Sequence, residues 1–345
     1  MQPGVVDAKQ PDPGAMDRRH PKAMPMHRSF LFPRQAFHIK IPLSVIWPFK
    51  PRSSVGNRSH GAYRFREDPK VNRMEIEASD DAGAVLHAGE AFLTRAPVEH
   101  NMAFTILQER SAHPEPGRYW MVSVDGRLSG LALQSPPTVP AVLTEIPQDC
   151  IEELANAMAG DRPDLPGIFG EADTVTRFAG CWAERMRISV APVEALRLYC
   201  LTTLRPPASA PGSLRTAGNA DLDLVIEWLK GFRRDTGGTV ASADAARRRL
   251  EAGLISIWDD GEPMSMAWTT TPLARTVRVC FVYTPPEHRG QGYAASCVAA
   301  VSQAAFDAGV LYCALYTQLS NPQSNAIYRR LGYEPVVENL HYRFG

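Results

Sequence analysis

Apolar positions in the middle of the chain alternate between strand-like and helix-like spacing. From Met74 to about Leu204 this spacing predicts the order strand, helix, helix, hairpin, helix, strand, helix, strand. The hairpin is centred on Asp125-Gly126, a pair that tolerates positive φ, and apolar residues flank it on both sides. We therefore predict one folded α/β unit at residues 74–204.

A second unit with the same order of elements follows a proline-rich segment. That segment, RPPASAPG at residues 205–212, is typical of a linker. A shift of 135 residues places the first Asp-Gly turn on Asp260-Gly261, with apolar strands around both turns. Asp-Gly hairpins are common, but a whole order of elements repeated at one offset indicates a duplicated domain. The second unit is predicted at residues 213–345.

The first 73 residues have a different composition. They contain ten prolines, 14 basic residues and only 5 acidic ones, with no sustained apolar period. Such a segment buries too little apolar surface to offset the entropy lost on ordering, so residues 1–73 are predicted to be disordered. Because a well-patterned segment opens at Met74, we also expect that translation begins there and that the upstream part is a misassigned gene start.

Charge and cysteine content narrow the class of protein. The chain has 37 basic and 37 acidic residues, so it offers no electrostatic reason to bind nucleic acid or an anionic membrane. Its six cysteines show neither metal-ligand nor disulfide spacing, and no apolar stretch reaches the ~18 residues of a membrane span. We expect a cytoplasmic protein with reduced thiols, no metal, no nucleic-acid partner and no membrane partner.

A glycine loop in the second unit predicts a phosphate site. The apolar run Thr276–Thr284 is typical of a buried central strand, and a helix that closes at Gly309 follows the loop. A loop between a strand and a helix leaves backbone N–H groups pointing at one spot, with the positive end of the helix dipole behind them. Gly290 and Gly292 would let a diphosphate approach the main chain, and Ala294 keeps the first turn thin. The glycine spacing fits neither the Walker loop nor the dinucleotide fingerprint.

Two sequence signatures resemble one enzyme family. The segment Arg289–Ala294 resembles the Arg/Gln-x-x-Gly-x-Gly/Ala signature of GNAT acyltransferases. After a strand predicted at Val310–Thr317 comes LSNPQSNAIYRRLGYEPV, which is similar to the family's Asn-x-x-(Ser/Asn)-x-x-x-Tyr helix ending in Leu-Gly-Tyr/Phe. The resemblance covers residues 213–345 and looks most like bacterial predicted acetyltransferases with a diverged, GNAT-like N-terminal half. It implies an α/β fold (α+β, with a mixed sheet). Two GNAT-like domains would stand in tandem, and the N-terminal one would be degenerate.

The resemblance also implies roles for individual residues. Backbone groups of the strand end would contact the thioester and the pantetheine arm of the co-substrate acetyl-CoA: Val282, Tyr283 and Thr284. The loop would hold the pyrophosphate with Arg289, Gly290, Gln291, Gly292, Tyr293 and Ala294. Asn321 would contact the CoA arm, and Tyr328, seven residues later on the same helix face, would protonate the departing thiolate.

The sequence offers no obvious general base. Some relatives carry a glutamate five residues before the asparagine, but this chain has Tyr316 there, so a water chain or an acid elsewhere must remove the amine's proton. Near the loop, Glu287 fits a solvated surface charge better than a base, and His288 fits a solvated loop histidine. Cys297 fits a packed core thiol better than a nucleophile.

The first unit lacks the glycine loop at the matching place. After a strand predicted at Val139–Ile146 the chain runs PQDCIEELANAMAG, with a helix predicted to begin on Asp149. Glu152 and Glu153 in its first turn suit the helix dipole but repel an anionic ligand. We therefore expect that this unit does not bind CoA and that it shapes the acceptor site or a cleft between the domains.

These observations favour an acetyl-CoA-dependent N-acetyltransferase acting on an amine of a small molecule or a protein. Two alternatives remain: an amino-acid N-acyltransferase of the glycine type using other acyl-CoAs, and a non-catalytic acyl-CoA sensor. From Met74 onward there are 23 basic and 32 acidic residues, an excess of acid that hints at a cationic acceptor. We expect a monomer or a homodimer.

Overall fold

The computed structural model describes residues 73–208, 210–237 and 241–344. In this part of the chain twelve strands form one continuous mixed sheet. The predicted disorder of residues 1–73 and the proposed start at Met74 concern a segment that, apart from Arg73, lies outside the described residues.

The described part of the chain contains one order of elements twice. The first half consists of β1 (Met74–Ser79), α1 (Ala82–Arg95), α2 (Asn101–Ala112), β2 (Arg118–Val124), β3 (Arg127–Gln134), β4 (Ala141–Leu143), α3 (Ile151–Asp161), β5 (Gly167–Glu171), α4 (Ala172–Met186) and β6 (Ala191–Leu201). The second half consists of β7 (Ser213–Thr216), α5 (Leu222–Thr236), α6 (Ala243–Glu251), β8 (Ile255–Asp259), β9 (Pro263–Thr269), β10 (Thr276–Tyr283), α7 (Tyr293–Asp307), β11 (Tyr312–Gln318), α8 (Pro322–Leu331) and β12 (Glu334–Arg343). Two sheet-forming units of identical order are what a duplication predicts.

The two halves exchange their last strands. The order across the sheet is β1-β2-β3-β4-β5-β12-β6-β11-β10-β9-β8-β7. β12 of the second half pairs antiparallel with β5 of the first, and β6 of the first half pairs antiparallel with β11 of the second. The two exchanged strands also pair with each other. Neither half therefore holds its sheet complete from its own sequence.

Alternating side chains on the strands bury two opposite faces of the sheet. In the first half Tyr119 and Leu131 pack with α1 and α2, whereas their neighbours Trp120 and Ala132 pack with α3 and α4. Because successive strand residues point to opposite faces, the two helix pairs lie on opposite sides. The second half repeats this alternation, with α5 and α6 over Ile257 and Met266, and with α7 and α8 over Trp258 and Ala267.

The segment between the halves is held against the second half. The backbone N–H of Arg205 donates to the carbonyl of Leu331 (2.8 Å), and the indole of Trp258 donates to the carbonyl of Pro211 (2.7 Å). The backbone N–H of Ala210 donates to the hydroxyl of Ser296 (2.9 Å), in the first turn of α7. The division into separate folding units at 74–204, 205–212 and 213–345 stays a prediction.

The predicted hairpin at Asp125-Gly126 is confirmed, and both turn residues have positive φ (52° and 73°), the signature of a type I′ turn. Two predicted boundaries next to it in sequence were wrong. The strand predicted at Val139–Ile146 is only Ala141–Leu143, and the helix predicted to begin on Asp149 begins at Ile151 after a 3₁₀ turn. Apolar character alone does not show where the hydrogen-bonded pairing of a strand ends.

No helix in the described part is long and apolar enough to cross a membrane.

Leu198 on β6 tests how far the exchanged strand couples the halves. Its side chain is fully buried against Val98 and Ala314, and its backbone lies between β11 and β12. Leu198→Ala should lower the free energy of unfolding by about 2–5 kcal/mol, because it leaves a cavity in a packed core. Urea unfolding gives the magnitude, and hydrogen exchange should show both halves opening more readily.

The control is Val193→Ala on the same strand, since Val193 is 48% exposed and its truncation should change stability little. If Leu198→Ala loosened only one half, β6 would not couple the two.

Candidate active site

A gap opens between two neighbouring parallel strands, β10 and β11. They pair only over Thr276–Arg278 and Tyr312–Ala314. Beyond that point β11 continues along β6 as far as Gln318, whereas β10 continues along β9 through an irregularity between Cys280 and Tyr283. Within the irregularity Phe281 has a φ of +47°, which is rare for a bulky residue and is typical of functional sites. The two strands thus splay at their carboxyl ends.

A cleft of about 880 Å³ occupies this gap and reaches both faces of the sheet. It takes in nearly all of the residues that the sequence singled out: Val282, Tyr283, Thr284, Arg289, Gly290, Gly292, Tyr293, Ala294, Asn321 and Tyr328. Gln291 is exposed on the loop and does not line the cleft. The two segments found in the sequence, some thirty residues apart, therefore meet at one site.

The loop after β10 has two glycines in the left-handed backbone region, with open space in front of them. Gly290 and Gly292 have φ values of +79° and +88°, which side chains on L residues disfavour. A Cβ at Gly290 would meet nothing within 4 Å, and one at Gly292 would have only the Cβ of Ala210 near it, at 3.7 Å. The space in front of the loop is thus open to a ligand.

Helix α7 begins directly behind this loop, with Gly292 as its N-cap. No side chain caps the first turn, and that turn contains no acidic residue. The first-turn residues Tyr293 and Ala294 line the cleft. An uncapped helix N-terminus presents orphan N–H groups and positive potential, which together suit a phosphate or diphosphate.

Side chains of the loop brace it rather than reach into the cleft. Arg289 Nε donates to the carbonyl of Thr284 (2.9 Å), and its guanidinium forms an ion pair with Asp235. The hydroxyl of Tyr293 donates to Asp260 (3.0 Å), with most of its ring buried. The backbone amides, and not the arginine charge, are what the loop offers to an anion.

Helix α8 places the two residues of the second signature along the cleft. Asn321 caps the helix, since its side-chain oxygen accepts from the backbone N–H of Ser324 (3.0 Å). Tyr328 is 8% exposed, with its ring edge-on to Tyr333 at 5.8 Å between ring centroids. Burial raises the pKa of Tyr328 well above its usual range, and the nearby Cys297 raises it further. The phenol is therefore protonated at neutral pH and can donate a proton.

Residues 222–333 match the family model of the acetyltransferase (GNAT) family. These residues form a GNAT acetyltransferase domain. The predicted family is thereby confirmed for the part of the chain that carries both signatures.

Solved structures extend the fold similarity to both halves. A GCN5-related N-acetyltransferase from Sphaerobacter thermophilus is 15% identical, with 79% of this chain and 95% of that chain covered and a TM-score of 0.55. A Drosophila protein is 10% identical, with 78% and 98% covered and a TM-score of 0.56. Because the matched part of this chain is longer than either of its halves, these structures share the arrangement of two GNAT-like units in tandem. The chain matches no curated protein in sequence.

The first GNAT-like half contains no counterpart of the loop. Between β4 and α3 its described residues include no glycine with positive φ. Glu152 and Glu153 lie in the first turn of α3, as the sequence indicated, where their charges oppose an anion. This half is the degenerate copy.

Three side chains near the GNAT loop have no direct chemical role that the geometry supports. Cys297 is fully buried, and burial raises the pKa of its thiol to about 12, so it is no nucleophile. Glu287 is exposed. His288 lines the cleft, with its ring 6.5 Å from that of Tyr293.

Sequence reasoning missed two carboxylates in the cleft. Asp235 pairs with Arg289, and the other carboxylate is that of Glu194. It belongs to β6 of the first half, yet the strand exchange places it beside the carboxyl end of β11. Gln318 Nε2 donates to its Oε1 (2.7 Å), and His341 Nδ1 lies 3.9 Å from its Oε2. Burial lowers the pKa of His341 below its usual 6.5 despite this carboxylate, so the ring is neutral at pH 7 and leaves the charge of Glu194 uncompensated. Only the long-range strand pairing reveals this placement.

At the position where some relatives carry the glutamate, Tyr316 fills the sheet instead. It lines the cleft edge-on to Phe169 of the first half, with 5.8 Å between ring centroids. Burial raises the pKa of Tyr316 to about 12, so it cannot accept a proton at neutral pH.

Two arginines, Arg249 and Arg278, also line the cleft and were not found from the sequence. Within the described residues, no group of three His, Cys, Asp or Glu side chains is placed to hold a metal ion.

Proposed function

We propose that the protein is an acetyl-CoA-dependent N-acetyltransferase in which a neutral amine attacks the thioester directly. The observation that carries this proposal is the meeting of three features in one cleft. A glycine loop opens α7, the strands before and after that helix splay apart, and a protonated tyrosine lines the gap between them. This combination supplies an anion site, a channel and a proton donor for the leaving group.

The residues present fit the CoA co-substrate. The backbone amides from Gly290 to Ala294 would hold its pyrophosphate at the positive end of α7, where the open space at the two glycines admits it. The pantetheine arm would lie in the gap between β10 and β11, along Val282 and Asn321. A cleft of about 880 Å³ is within the usual range for an organic ligand of this kind.

In the proposed reaction the amine nitrogen forms a bond to the acyl carbon and the carbon–sulfur bond breaks. Tyr328 gives its phenolic proton to the departing thiolate, a task for which its raised pKa keeps it protonated. Direct attack creates no covalent enzyme intermediate, in agreement with the buried, protonated thiol of Cys297.

Glu194 is the proposed acceptor of the amine's proton. It lines the same cleft as Tyr328 and is contributed by the strand next to β11. Its bond from Gln318 fixes the carboxylate without neutralising it, since an amide donor carries no charge. The first half would in this way supply the base that the second half lacks.

A non-catalytic acyl-CoA sensor would need the glycine loop but neither of these two groups. The presence of a protonated phenol and an uncompensated carboxylate in one cleft favours a catalyst over a sensor. Transfer of acetyl groups by the unmodified protein is the direct test. Free CoA thiol is followed while amines are screened with acetyl-CoA, and a protein that binds acetyl-CoA but transfers to no amine would be a sensor.

The variant Tyr328→Phe tests the proton donor. It should lower kcat by about 10²–10⁴-fold, the usual contribution of a general acid, and should leave the Kd for acetyl-CoA nearly unchanged. Tyr333→Phe is the matched control, because this neighbouring phenol hydrogen-bonds with Ser302 in the core (2.9 Å). An equal loss of kcat in both variants would remove Tyr328 from the chemistry.

The variant Gly292→Val tests the anion site. A side chain in front of the loop should weaken acetyl-CoA binding at least about tenfold, since it strains the backbone and fills space intended for a ligand. Gly309→Val provides the control at the other end of α7, where φ is similarly +91° and a Cβ meets nothing within 4 Å. Both variants should lose similar stability, but calorimetric titration should show lost affinity only for Gly292→Val. Unchanged affinity there would refute the site.

The variant Glu194→Gln tests the base through its pH dependence. At pH 7 kcat/KM should fall about 10²-fold, because most of the acceptor amine is then protonated and must lose a proton. The defect should shrink as the pH rises towards the pKa of the amine, where the neutral form no longer needs a base. The exposed Glu184→Gln on α4 serves as control. A defect of constant size from pH 7 to pH 10 would contradict the assignment.

A further inference from the structure

In the described part of the chain, two partly buried guanidinium groups at the cleft have no acidic partner, those of Arg278 and Arg249; the exposed Arg330 on α8 also has none. Arg278 Nη1 donates to the side-chain oxygen of Asn101 (3.0 Å), and Arg249 Nη1 donates to the carbonyl of Thr269 (2.8 Å). Both acceptors are neutral. Among the residues that the structure describes, neither guanidinium has a carboxylate within the 4.0 Å of an ion pair.

This lack of a partner sets the two apart from neighbouring arginines. Arg248, next to one of them on α6, pairs with Glu109 (3.4 Å), and Arg289 in the loop pairs with Asp235. Burial lowers the pKa of Arg278, and the positive charge of Arg249 lowers it as well, so the two cations are close enough to repel. Like charges partly removed from water are costly unless an anion comes between them.

The phosphates of CoA are not that anion. Arg278 precedes Tyr283, the last residue of β10, by five positions, which corresponds to roughly 16 Å of strand. It also lies on the other face of the sheet. Val277 and Val279 pack under α7, whereas Cys280 packs with the core of α5 and α6 and Arg278 reaches Asn101 on α2. The loop and the arginines therefore serve different parts of the cleft.

The walls around the arginines suit a small molecule with an apolar portion. The side chains on this face come from both halves and are mainly apolar: Met102, Leu196, Phe232 and Phe281. Glu194 and Gln318 lie on this same face, towards the carboxyl ends of the strands. An acceptor bound at one end by the guanidiniums could thus present another group to the carboxylate.

We propose that the acceptor is a small amine that also carries a carboxylate, such as an amino acid. Arg278 and Arg249 hold its carboxylate, and its amine lies towards Glu194 and the gap between β10 and β11. Guanidinium groups are suited to this task because their planar N–H groups match a carboxylate in pairs. Polyamines would bring further positive charge to two cations, so the acidic balance of the chain is a poor guide to the acceptor. This inference rests on the proposed acetyl transfer.

Matched acceptors test the inference in the full-length protein. The common amino acids are assayed with acetyl-CoA beside their carboxamides, which keep the amine and lose the charge, and beside aminophosphonates, which replace the carboxylate by another anion. We expect kcat/KM for an amino acid to exceed that of its carboxamide and of its phosphonate by at least about tenfold. Equal or better transfer to the carboxamides would overturn the inference and leave the proposed function intact, and a preference for phosphonates would overturn the choice of carboxylate.

Variants of the two arginines give the second test. Arg278→Gln and, separately, Arg249→Gln should raise KM for the amino acid about tenfold or more and remove the preference over the carboxamide. The Kd for acetyl-CoA should stay within about twofold, since the loop lies elsewhere. Arg234→Gln, at an exposed position on α5, is the control. If the preference survives in both variants, the arginines do not bind the acceptor. If Arg278→Gln does not fold because it loses the hydrogen bond to Asn101, Arg249→Gln still tests the inference.

Binding separates this inference from the proposed function. Amino acids and carboxamides are titrated calorimetrically into the protein saturated with CoA, which has no acyl group to transfer. Tighter binding of the amino acid supports the inference even if no acetyl transfer occurs. In that case only the proposed acetyl transfer is contradicted. Equal affinities, or no binding of any amino acid, overturn it.

Discussion

The pairing of β6 with β11 is the constraint on which the site depends. β11 is held along its length by a strand of the other half, while β10 leaves it after Arg278 to follow β9. Without β6, the part of β11 that β10 leaves would have unpaired backbone groups along both of its edges. Because β6 supplies one full ladder, the other edge of β11 can stay open without loss of the strand, and the cleft exists there.

The same cleft then divides into two regions of different chemistry. On the face of α7 and α8 the positive character comes from backbone amides and a helix dipole, which suit a diphosphate and require little of the side chains. On the opposite face it comes from Arg278 and Arg249, which depend on side-chain geometry. The first face also carries the phenol of Tyr328, which burial keeps protonated, and the second carries the carboxylate of Glu194, which has no cationic partner among the described residues. An acyl transfer between two bound molecules requires both a donor and an acceptor of protons, and the cleft holds a candidate for each.

The features that could be predicted from the sequence are those encoded within a short segment of the chain. The glycine loop and the helix behind it are encoded within a short segment, because left-handed φ at Gly290 and Gly292 and the start of α7 are neighbouring events. The duplication was visible for a similar reason, as each half repeats its own pattern. The length of β4 was not visible, since the apolar residues Val139 and Ile146 stand on either side of the short segment that pairs.

Most of the residues that were missed depend on distant parts of the chain. Glu194 lies nearly a hundred residues before the glycine loop and enters the cleft only because the last strands are exchanged, which no periodicity shows. Arg278 was visible as one polar residue in an apolar strand, TVRVCFVY, and that interruption was a usable signal. Its partner Arg249 lies among three consecutive arginines on α6, where sequence alone does not distinguish a solvated charge from a buried one.

The exchanged strands also bear on how the two copies could change after duplication. The first half has no glycine loop, and two glutamates occupy the first turn of its helix α3. Its final strand is nevertheless tied to the second half, because β6 completes the sheet of that half and brings Glu194 to its cleft. Changes around α3 can therefore leave the second half intact, whereas loss of the whole first half would also remove a strand from the sheet of the second.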